Sequence, residues 1–303
     1  MSEVKFASFW HGPELSPYEH ACLASFAAHG DEVALYCYEK PANVPSGIQI
    51  KDARRILPIE ATQHFRLNGL PSMAHFTDYF RYVMFTRTEE IWVDTDMLLL
   101  KAFDLRGSFN LIGRETAESA CTAILRLDPQ DARLPTLIRR VDAIKELPIN
   151  WGDTGPRLLT AVYGVADTYA PSYFYPVHFD DYYKVFLPRF AEECASLCAN
   201  AYTLHLWNNR VVKMGLFKRI APPVGSYLHR VFAEHGVLAS FSDSYPESVM
   251  ETMVHNVENR VGCDEGMRKL FRVAVPSIKA AIDKWLLSSD GARATVQRRR
   301  DAR

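Results

Sequence analysis

The 303-residue sequence lacks several features that would assign it to a simple functional class. It contains no run of 18 apolar residues, so no transmembrane helix is predicted. Its first residues, a short apolar stretch interrupted by Lys5, lack the pattern of a secretory leader. It also has no excess charge of either sign, since 35 Lys and Arg residues face 36 Asp and Glu residues. Without a broad positive charge we expect no nucleic-acid partner, and we predict a cytoplasmic protein.

Cysteine usage excludes the common zinc and disulfide frameworks. None of the six cysteines belongs to a Cys-x-x-Cys pair, and Cys194 and Cys198 are spaced to share one face of a helix. Internal repeats and low-complexity segments are absent as well. With 48% hydrophobic and 12% aromatic residues, the chain instead has the composition of a globular protein large enough to bury its own core.

Strand and helix patterns alternate along the first half of the chain, which predicts an α/β fold. A helix is expected from Pro17, because Ser16 and Glu19 are placed as in a capping box. A second helix is expected from Ser72 to Thr86, where apolar residues recur at helical spacing. Further helices are predicted at Leu134–Ile144 and Gly155–Tyr163, and strands at Val4–Trp10, Glu32–Tyr38, Ile48–Ile50, Ile91–Val93 and Phe109–Gly113.

The C-terminal part has a different pattern. Beyond Ser226 the sequence predicts mostly helix, at Tyr227–Glu234, Glu247–Asn259 and Met267–Leu287, and from Arg293 it is rich in arginine. We predict one α/β domain over residues 1–225, a helical C-terminal extension over 226–290, and a disordered basic tail over 291–303. The extension combines apolar and basic residues, so its helices either pack on the α/β domain or lie on an anionic membrane surface.

The sharpest feature of the sequence is the segment Ile91-Trp92-Val93-Asp94-Thr95-Asp96. Two carboxylates follow a predicted buried strand, and residues i and i+2 of an extended chain point to the same side. Open α/β sheets bind ligands at that carboxyl edge. Converging carboxylates repel each other unless a cation lies beside them, and oxygen ligands favour Mg²⁺ or Mn²⁺. The pattern predicts a metal site at Asp94 and Asp96, with turn-capping aspartates as the alternative.

A second charged pair, Asp78 and Arg81, lies on the predicted helix that precedes this strand. Residues three positions apart share one helix face. There, an aspartate can accept hydrogen bonds from sugar hydroxyls and an arginine can pair with a phosphate. The alternative is an ion pair on a hydrated helix surface, worth a few tenths of a kcal/mol. The two residues alone leave both interpretations open.

Together these segments resemble glycosyltransferase family 32, which includes α-1,4-galactosyltransferases, fungal mannosyltransferases and bacterial lipopolysaccharide or capsule transferases. The glucosyltransferase domains of clostridial toxins are similar. The family signature Ser-Asp-x-x-Arg … Asp-x-Asp matches Thr77-Asp78-Tyr79-Phe80-Arg81 and Asp94-Thr95-Asp96, although threonine replaces serine and Glu89-Glu90 replaces a usual Gly-Gly. The other matching segments, in family order, are Ser8–Gly12, Gly152–Pro156, Phe174–Pro176 and His205–Asn208.

The resemblance implies a GT-A fold with a mixed central sheet and a nucleotide-sugar donor, most simply a UDP-sugar, held through Mn²⁺ or Mg²⁺. At the matching positions it implies that Asp96 holds the metal directly, and that Asp94 contacts the ribose or donor sugar and reaches the metal directly or through water. His205 would be the last metal ligand, with a core histidine as the alternative. Asp78 would bind hydroxyls of the donor sugar, and Arg81 the sugar or phosphate.

Five further residues receive roles from the same resemblance. Trp10 would stack on the donor base, with a core tryptophan as the alternative. Trp207 and Asn208 would close over the diphosphate. Asp153 and Thr154 would face the transferred sugar or the acceptor, or else cap the helix that follows them. The predicted catalytic residues are Asp94, Asp96, Arg81 and Asp153.

The implied activity is transfer of a sugar, with retained configuration, to a glycan or lipid-linked acceptor in bacterial lipopolysaccharide or capsule synthesis. A lipid-linked acceptor would place the protein at the inner face of the membrane. Two other classes stay open. A metal-dependent nucleotide-sugar hydrolase is disfavoured because the sequence lacks further His/Asp clusters. A non-enzymatic sugar-binding protein is disfavoured because the four charged signature residues are all present.

Overall fold

A computed structural model describes residues 4–103 and 109–257, together with residues 278, 279 and 282. The chain forms two compact units, Met1–Met250 and Glu251–Arg303. In the second unit, residues 251–257, 278, 279 and 282 are helical. Most of the predicted helix over residues 267–287, and the basic tail, lie outside the described residues. Both the domain boundaries and the membrane-surface alternative therefore stay predictions.

The first unit is built from short strands and helices. Its strands are β1 (Lys5–Trp10), β2 (Glu32–Cys37), β3 (Ile48–Asp52), β4 (Arg66–Leu67), β5 (Leu70–Pro71), β6 (Ile91–Val93), β7 (Met97–Leu99), β8 (Leu111–Arg114), β9 (Ala120–Arg126), β10 (Thr203–His205), β11 (Ile220–Ala221) and β12 (Asp243–Ser244). Its α-helices are α1 (Pro17–Ala28), α2 (Met73–Phe85), α3 (Leu134–Ile144), α4 (Pro156–Tyr163), α5 (Pro171–Phe174), α6 (Ala191–Cys198), α7 (Asn208–Met214) and α8 (Tyr227–Glu234), and residues 247–257 form one more helix. Five 3₁₀ turns lie at Ala53–Arg55, Ile59–Gln63, Tyr182–Phe186, Pro188–Phe190 and Leu238–Ser240.

The central sheet is mixed and has the strand order β3-β2-β1-β6-β9-β8. Strands β3, β2, β1 and β6 run parallel, whereas β9 is antiparallel to both of its neighbours. A separate antiparallel pair joins β7 to β10. The predicted α/β architecture with a mixed sheet is therefore confirmed, and the carboxyl ends of β1 and β6 lie side by side at one sheet edge, where ligands bind in such sheets.

Helix α2 packs on the central sheet with the apolar stripe that its spacing predicts. Phe76 and Phe80 are fully buried, and their rings lie 5.4 and 5.0 Å from the ring of Phe9 on β1. The ring of Phe80 also lies 6.2 Å from that of Trp92 on β6. This aromatic layer fixes α2 beside the ends of β1 and β6, and so positions the polar residues of the helix.

The bounds of several elements agree closely with the sequence predictions. Helices α1, α3 and α8 have the predicted bounds, and the predicted strand Phe109–Gly113 forms as Leu111–Arg114. Strand β9 was not predicted, because its seven residues are almost all buried and show no alternation of polar and apolar residues. The five described cysteines are all buried and free. Among the described residues, no helix has both the length and the apolarity needed to cross a membrane.

The start of α1 differs from the predicted capping box. Pro17 begins the helix, where its missing N–H costs nothing. The hydroxyl of Ser16, however, makes no bond to a helix N–H and donates instead to the carboxylate of Glu19. Glu19 is buried and turned towards the interior rather than back to the chain before the helix. Its charge therefore needs partners elsewhere in the molecule.

Candidate functional site

The Asp-x-Asp segment forms a tight turn between β6 and β7. The Asp94 N–H donates to the carbonyl oxygen of Ala123 on β9 at 2.8 Å, and the Met97 N–H donates to the Asp94 carbonyl oxygen at 3.1 Å. The Asp94 carboxylate also accepts a hydrogen bond from the indole Nε1 of Trp92 at 2.6 Å. The turn is thus tied to both neighbouring strands, and it holds the two carboxylates at the carboxyl edge of the sheet.

Strand β10 brings a histidine to the same turn from a distant part of the chain. His205 pairs with Met97 in the β7–β10 ladder, which places the Nε2 atom of His205 3.3 Å from Oδ2 of Asp96. The chain then reverses at Trp207, whose φ of +52° is in the left-handed region that costs energy for a bulky residue. This turn directs the Asn208 N–H towards Oδ2 of Asp96 at 2.8 Å.

Asp94, Asp96 and His205 form a group that fits a divalent cation. Each offers one ligand atom, and these atoms all lie within 4.8 Å of one another. The ring of His205 is buried with Nε2 beside Asp96, whereas its Nδ1 atom has no hydrogen-bond partner among the described residues. Two carboxylates and an imidazole suit Mn²⁺, and Mg²⁺ less well, because Mg²⁺ prefers oxygen ligands.

The two aspartates of this group have different proton affinities. Burial raises the pKa of Asp94 to about 6, although the Arg81 charge opposes this rise. Burial acts in the same direction on Asp96, but the His205 ring and the Asn208 N–H outweigh it and lower the pKa of Asp96 to about 2. Burial lowers the pKa of His205, but the adjacent Asp96 carboxylate raises it by more than burial lowers it. The pKa of His205 is therefore raised above its usual value. Asp96 is therefore ionised at neutral pH, as a metal ligand must be.

Asp78 and Arg81 are both buried, so they do not form the hydrated surface pair considered above. The guanidinium of Arg81 lies between two carboxylates, 3.4 Å from Oδ1 of Asp78 and 3.2 Å from Oδ1 of Asp94. It also donates to the carbonyl oxygen of Thr122 and lies 4.6 Å from the ring centre of Trp92. Arg81 thus links the acidic residue of α2 to the Asp-x-Asp turn.

Asp78 is enclosed by donors and by a glycine. Its carboxylate accepts hydrogen bonds from the hydroxyls of Thr122 at 3.2 Å and Thr154 at 2.8 Å. At Gly155 a Cβ atom would lie 2.6 Å from Oδ2 of Asp78, closer than real Cβ atoms approach. Only glycine therefore fits at this position while Asp78 keeps its place.

Replacement of Gly155 by alanine is expected to displace Asp78 and, on the hypothesis that Asp78 binds a sugar donor, to weaken the binding of that donor. Overpacking of this kind costs about 1–3 kcal/mol of unfolding free energy. The comparison variant is Gly30→Ala, where a Cβ meets no atom within 4 Å but φ is +83°, so backbone strain alone is tested. Calorimetry with UDP-galactose and Mn²⁺, together with thermal melting, measures both effects. Unchanged donor affinity in Gly155→Ala would contradict the importance of the Asp78 position.

One cavity of about 590 Å³ opens over these groups. Its wall includes most of the predicted site residues, namely Trp10, Asp78, Arg81, Asp94, Asp96, His205, Trp207 and Asn208. The indole Nε1 of Trp10 is buried and, among the described residues, has no hydrogen-bond partner. The ring of Trp207 lies 4.0 Å from that of His205 and its Nε1 donates to the Val177 carbonyl oxygen at 3.0 Å.

Two of the predicted site residues do not line this cavity. The Asp153 carboxylate accepts hydrogen bonds from the Asn150 N–H at 2.7 Å and from Arg157 at 3.2 Å, and, among the described residues, no side chain caps the helix that begins at Pro156. Thr154 is fully buried and contacts the sugar-binding candidate Asp78 rather than the cavity. The catalytic role of Asp153 and the direct donor contact of Thr154 stay predictions.

The cavity also includes residues that sequence reasoning missed. Glu115 lies in its wall, and burial raises the pKa of this carboxyl. Trp151 is half exposed on the wall, and its ring lies edge-on to that of His75 at 5.8 Å. Glu115 follows a predicted strand end, the same signal that drew attention to Asp94. For Trp151 no local pattern distinguishes it from an ordinary loop tryptophan.

Comparison with known proteins connects this site to sugar transfer. Residues 147–219 match the family model of the alpha 1,4-glycosyltransferase conserved region, a segment that includes His205 and Asn208. The lactosylceramide 4-alpha-galactosyltransferase of Rattus norvegicus is 29% identical over 168 residues, which are 50% of this chain and 45% of that protein. The Homo sapiens protein of the same name is 28% identical over 151 residues, 44% of this chain and 41% of that protein.

The matched region spans less than half the length of these two relatives. Among solved structures, the glycosyltransferase GlyE of Streptococcus pneumoniae is similar at a TM-score of 0.41 and 12% identity, over 86% of this chain and 64% of that one. The sequence matches confirm the predicted similarity to a glycosyltransferase family, whereas assignment to glycosyltransferase family 32 stays a prediction.

Proposed function

We propose that this protein is a metal-dependent glycosyltransferase of the GT-A type, within family 32, that moves a hexose from a nucleotide-sugar to a glycan or lipid-linked acceptor. The observation that carries the proposal is the group Asp94, Asp96 and His205, whose ligand atoms lie within 4.8 Å of one another in the wall of a large cavity. Its similarity to alpha 1,4-glycosyltransferases supports the same activity. Synthesis of bacterial lipopolysaccharide or capsule is the setting that we infer from the family resemblance.

In this proposal Asp96, Asp94 and His205 hold Mn²⁺ or Mg²⁺. When bound, the ion supplies positive charge that stabilises a departing diphosphate. The protein's own residues prepare the position: Arg81 and Trp92 bind Oδ1 of Asp94, and the Asn208 N–H binds Oδ2 of Asp96. These contacts fix both carboxylates before any ligand arrives, so that little reorganisation is needed on binding.

The donor sugar is proposed to lie against Asp78, with the nucleotide towards Trp10. Asp78 is buried, and two threonine hydroxyls hold its carboxylate in place. The residue forms part of the cavity wall beside Arg81. A carboxylate held in place by these contacts presents acceptor oxygens at a fixed position, which favours ligands that supply hydroxyl donors. The indole of Trp10 offers a flat surface for the donor base.

The proposed reaction retains the configuration at the transferred carbon. The bond between that carbon and the diphosphate oxygen breaks, the acceptor oxygen forms the new bond on the same face, and a phosphate oxygen takes the acceptor proton. Arg81 contributes through the field of a buried cation linked to Asp94. No side chain of the cavity is assigned as a nucleophile.

Calorimetry with nucleotides tests the donor site directly. We expect UDP to bind the protein in the presence of Mn²⁺ at least tenfold more tightly than in its absence, and more tightly than GDP or CMP. Product analysis with UDP-galactose, with and without a lactoside acceptor, then separates transfer from hydrolysis. Metal-independent binding would favour a non-enzymatic protein, and release of free sugar at the same rate with acceptor would favour a hydrolase.

A further inference from the structure

Glu19 is a buried charge that helix formation does not explain. It lies in the first turn of α1 and is only 1% exposed, and desolvation of a carboxylate is costly unless partners compensate. The Ser16 hydroxyl is one partner, but it is neutral and adjacent in sequence. The charge of Glu19 must therefore be balanced by another part of the chain.

Two further partners of Glu19, among the residues that the structure describes, lie on the segment that follows His205. The ammonium of Lys218 forms an ion pair with Oε1 of Glu19, although the two residues are 199 positions apart. The side-chain amide of Asn208 donates to the same oxygen at 3.4 Å. Glu19 thus binds the segment over residues 205–218 at two points, one of them next to the Asp-x-Asp turn.

The same segment supplies two contacts to the candidate metal group. His205 provides the third ligand, and the Asn208 backbone N–H binds Oδ2 of Asp96 at 2.8 Å. Asn208 is therefore held from opposite sides, by Asp96 through its backbone and by Glu19 through its side chain. A shift of this residue would move the donor that orients Asp96.

Helix α1 is itself tied to the strand that leaves the Asp-x-Asp turn. The Leu99 N–H of β7 donates to the hydroxyl of Ser25 on α1 at 2.8 Å. The Tyr18 hydroxyl donates to the Ile220 carbonyl oxygen at 3.1 Å. Helix α1 therefore links the strand after Asp96 to the segment after His205, and Glu19 forms the charged contact in this link.

We propose that Glu19, through Lys218 and Asn208, is a positioning residue that holds Asn208 against Asp96 and thereby raises the affinity of the candidate group for the divalent cation. Buried ion pairs of this kind contribute little net stability but can specify one arrangement of two segments. The inference rests on the proposed metal-dependent function.

The test is the affinity for Mn²⁺ of Glu19→Gln, measured by calorimetric titration of Mn²⁺ into the folded protein with excess UDP. We expect the dissociation constant to rise at least tenfold. The matched control is Glu14→Gln, because Glu14, five positions before Glu19, pairs with Arg219, the neighbour of Lys218, but both side chains are more than half exposed. Its dissociation constant for Mn²⁺ is expected to change less than twofold.

A second variant separates positioning from folding. In Glu19→Gln the Lys218 charge is left without its carboxylate, so the double variant Glu19→Gln/Lys218→Met is expected to regain thermal stability without regaining Mn²⁺ affinity. The conservative variant Lys218→Arg, which keeps the ion pair, is expected to bind Mn²⁺ nearly as the wild type does. If the pair had a purely structural role, its loss would change the melting temperature. It would not change the affinity for Mn²⁺ measured at a temperature well below the melting temperature.

Two outcomes would overturn the inference, and they are distinguishable. If the wild type binds Mn²⁺ and the folded single or double variant binds it within twofold of the wild type, Glu19 does not position the metal group. If the wild type itself shows no Mn²⁺ binding, the proposed metal site is contradicted, and the inference that depends on it is lost as well.

Discussion

Replacement of Asp96 by asparagine is expected to lower the rate of sugar transfer by about 10³-fold or more at saturating donor, because several kcal/mol of charge stabilisation depend on the bound cation. The amide has nearly the same shape and its oxygen can still accept the Asn208 N–H, which in the wild type lies 2.8 Å from Oδ2. The fold should therefore survive. Steady-state transfer from UDP-galactose with Mn²⁺, together with thermal melting, measures both results.

Asp142→Asn provides the comparison for this variant. Asp142 is a surface aspartate that pairs with Lys145 and accepts a hydrogen bond from Tyr79, away from the cavity wall. Its replacement is expected to change the transfer rate less than twofold. Transfer by Asp96→Asn at close to the wild-type rate, with Mn²⁺ present, would contradict the assignment of Asp96 as a metal ligand.

Replacement of Arg81 by methionine is expected to lower the free energy of unfolding by about 3–5 kcal/mol and to remove detectable transfer. The guanidinium lies between Asp78 and Asp94, so its loss leaves two carboxylates without their shared cation in a poorly hydrated place. Their repulsion should also open the Asp-x-Asp turn. Chemical denaturation measures the first effect, and an assay of sugar transfer from UDP-galactose with Mn²⁺ measures the second.

The surface pair of Arg157 and Asp153 offers a matched control. The distance from Nη1 of Arg157 to Oδ1 of Asp153 is 3.2 Å, the same as that between Arg81 and Asp94, but Arg157 is 69% exposed. Arg157→Met is expected to cost less than about 1 kcal/mol. The double variant Arg81→Met/Asp78→Asn should recover part of the lost stability, because one uncompensated charge is gone. Equal stability losses for the two arginine variants would contradict a buried network.

Local structure was largely predictable from the sequence. Helix α1 begins at Pro17, and α3 and α8 have the predicted bounds, because capping residues, proline and helical spacing act within a few residues of one another. The apolar stripe of α2 is buried for the same reason. Where burial removes the polar–apolar alternation, as in β9, this kind of prediction fails.

The candidate site was predictable only in part. The spacing of Asp94 and Asp96 after a buried strand indicates a cation site; His205 was assigned to it only through the family resemblance, and the structure brings its ring to these carboxylates. The roles of the other residues came from the resemblance. The structure places some of these residues in the cavity wall and others outside it. Trp10 and Asn208 lie in the cavity wall, whereas Asp153 does not. Nothing in the local sequence separates these cases, because each is a polar or aromatic residue at the end of an element.

The sequence by itself determined the bounds of several helices and strands, and it placed two carboxylates directly after a buried strand, where the chain makes a tight turn rather than the expected extended segment. The tertiary structure alone decided which distant residues meet them. It placed the Asn208 N–H against an aspartate 112 positions away and paired Glu19 with Lys218 across 199 positions. The physical reason is that these contacts depend on the order of strands in the sheet and on the burial of charge. Those are properties of the whole packed unit, which local spacing does not encode.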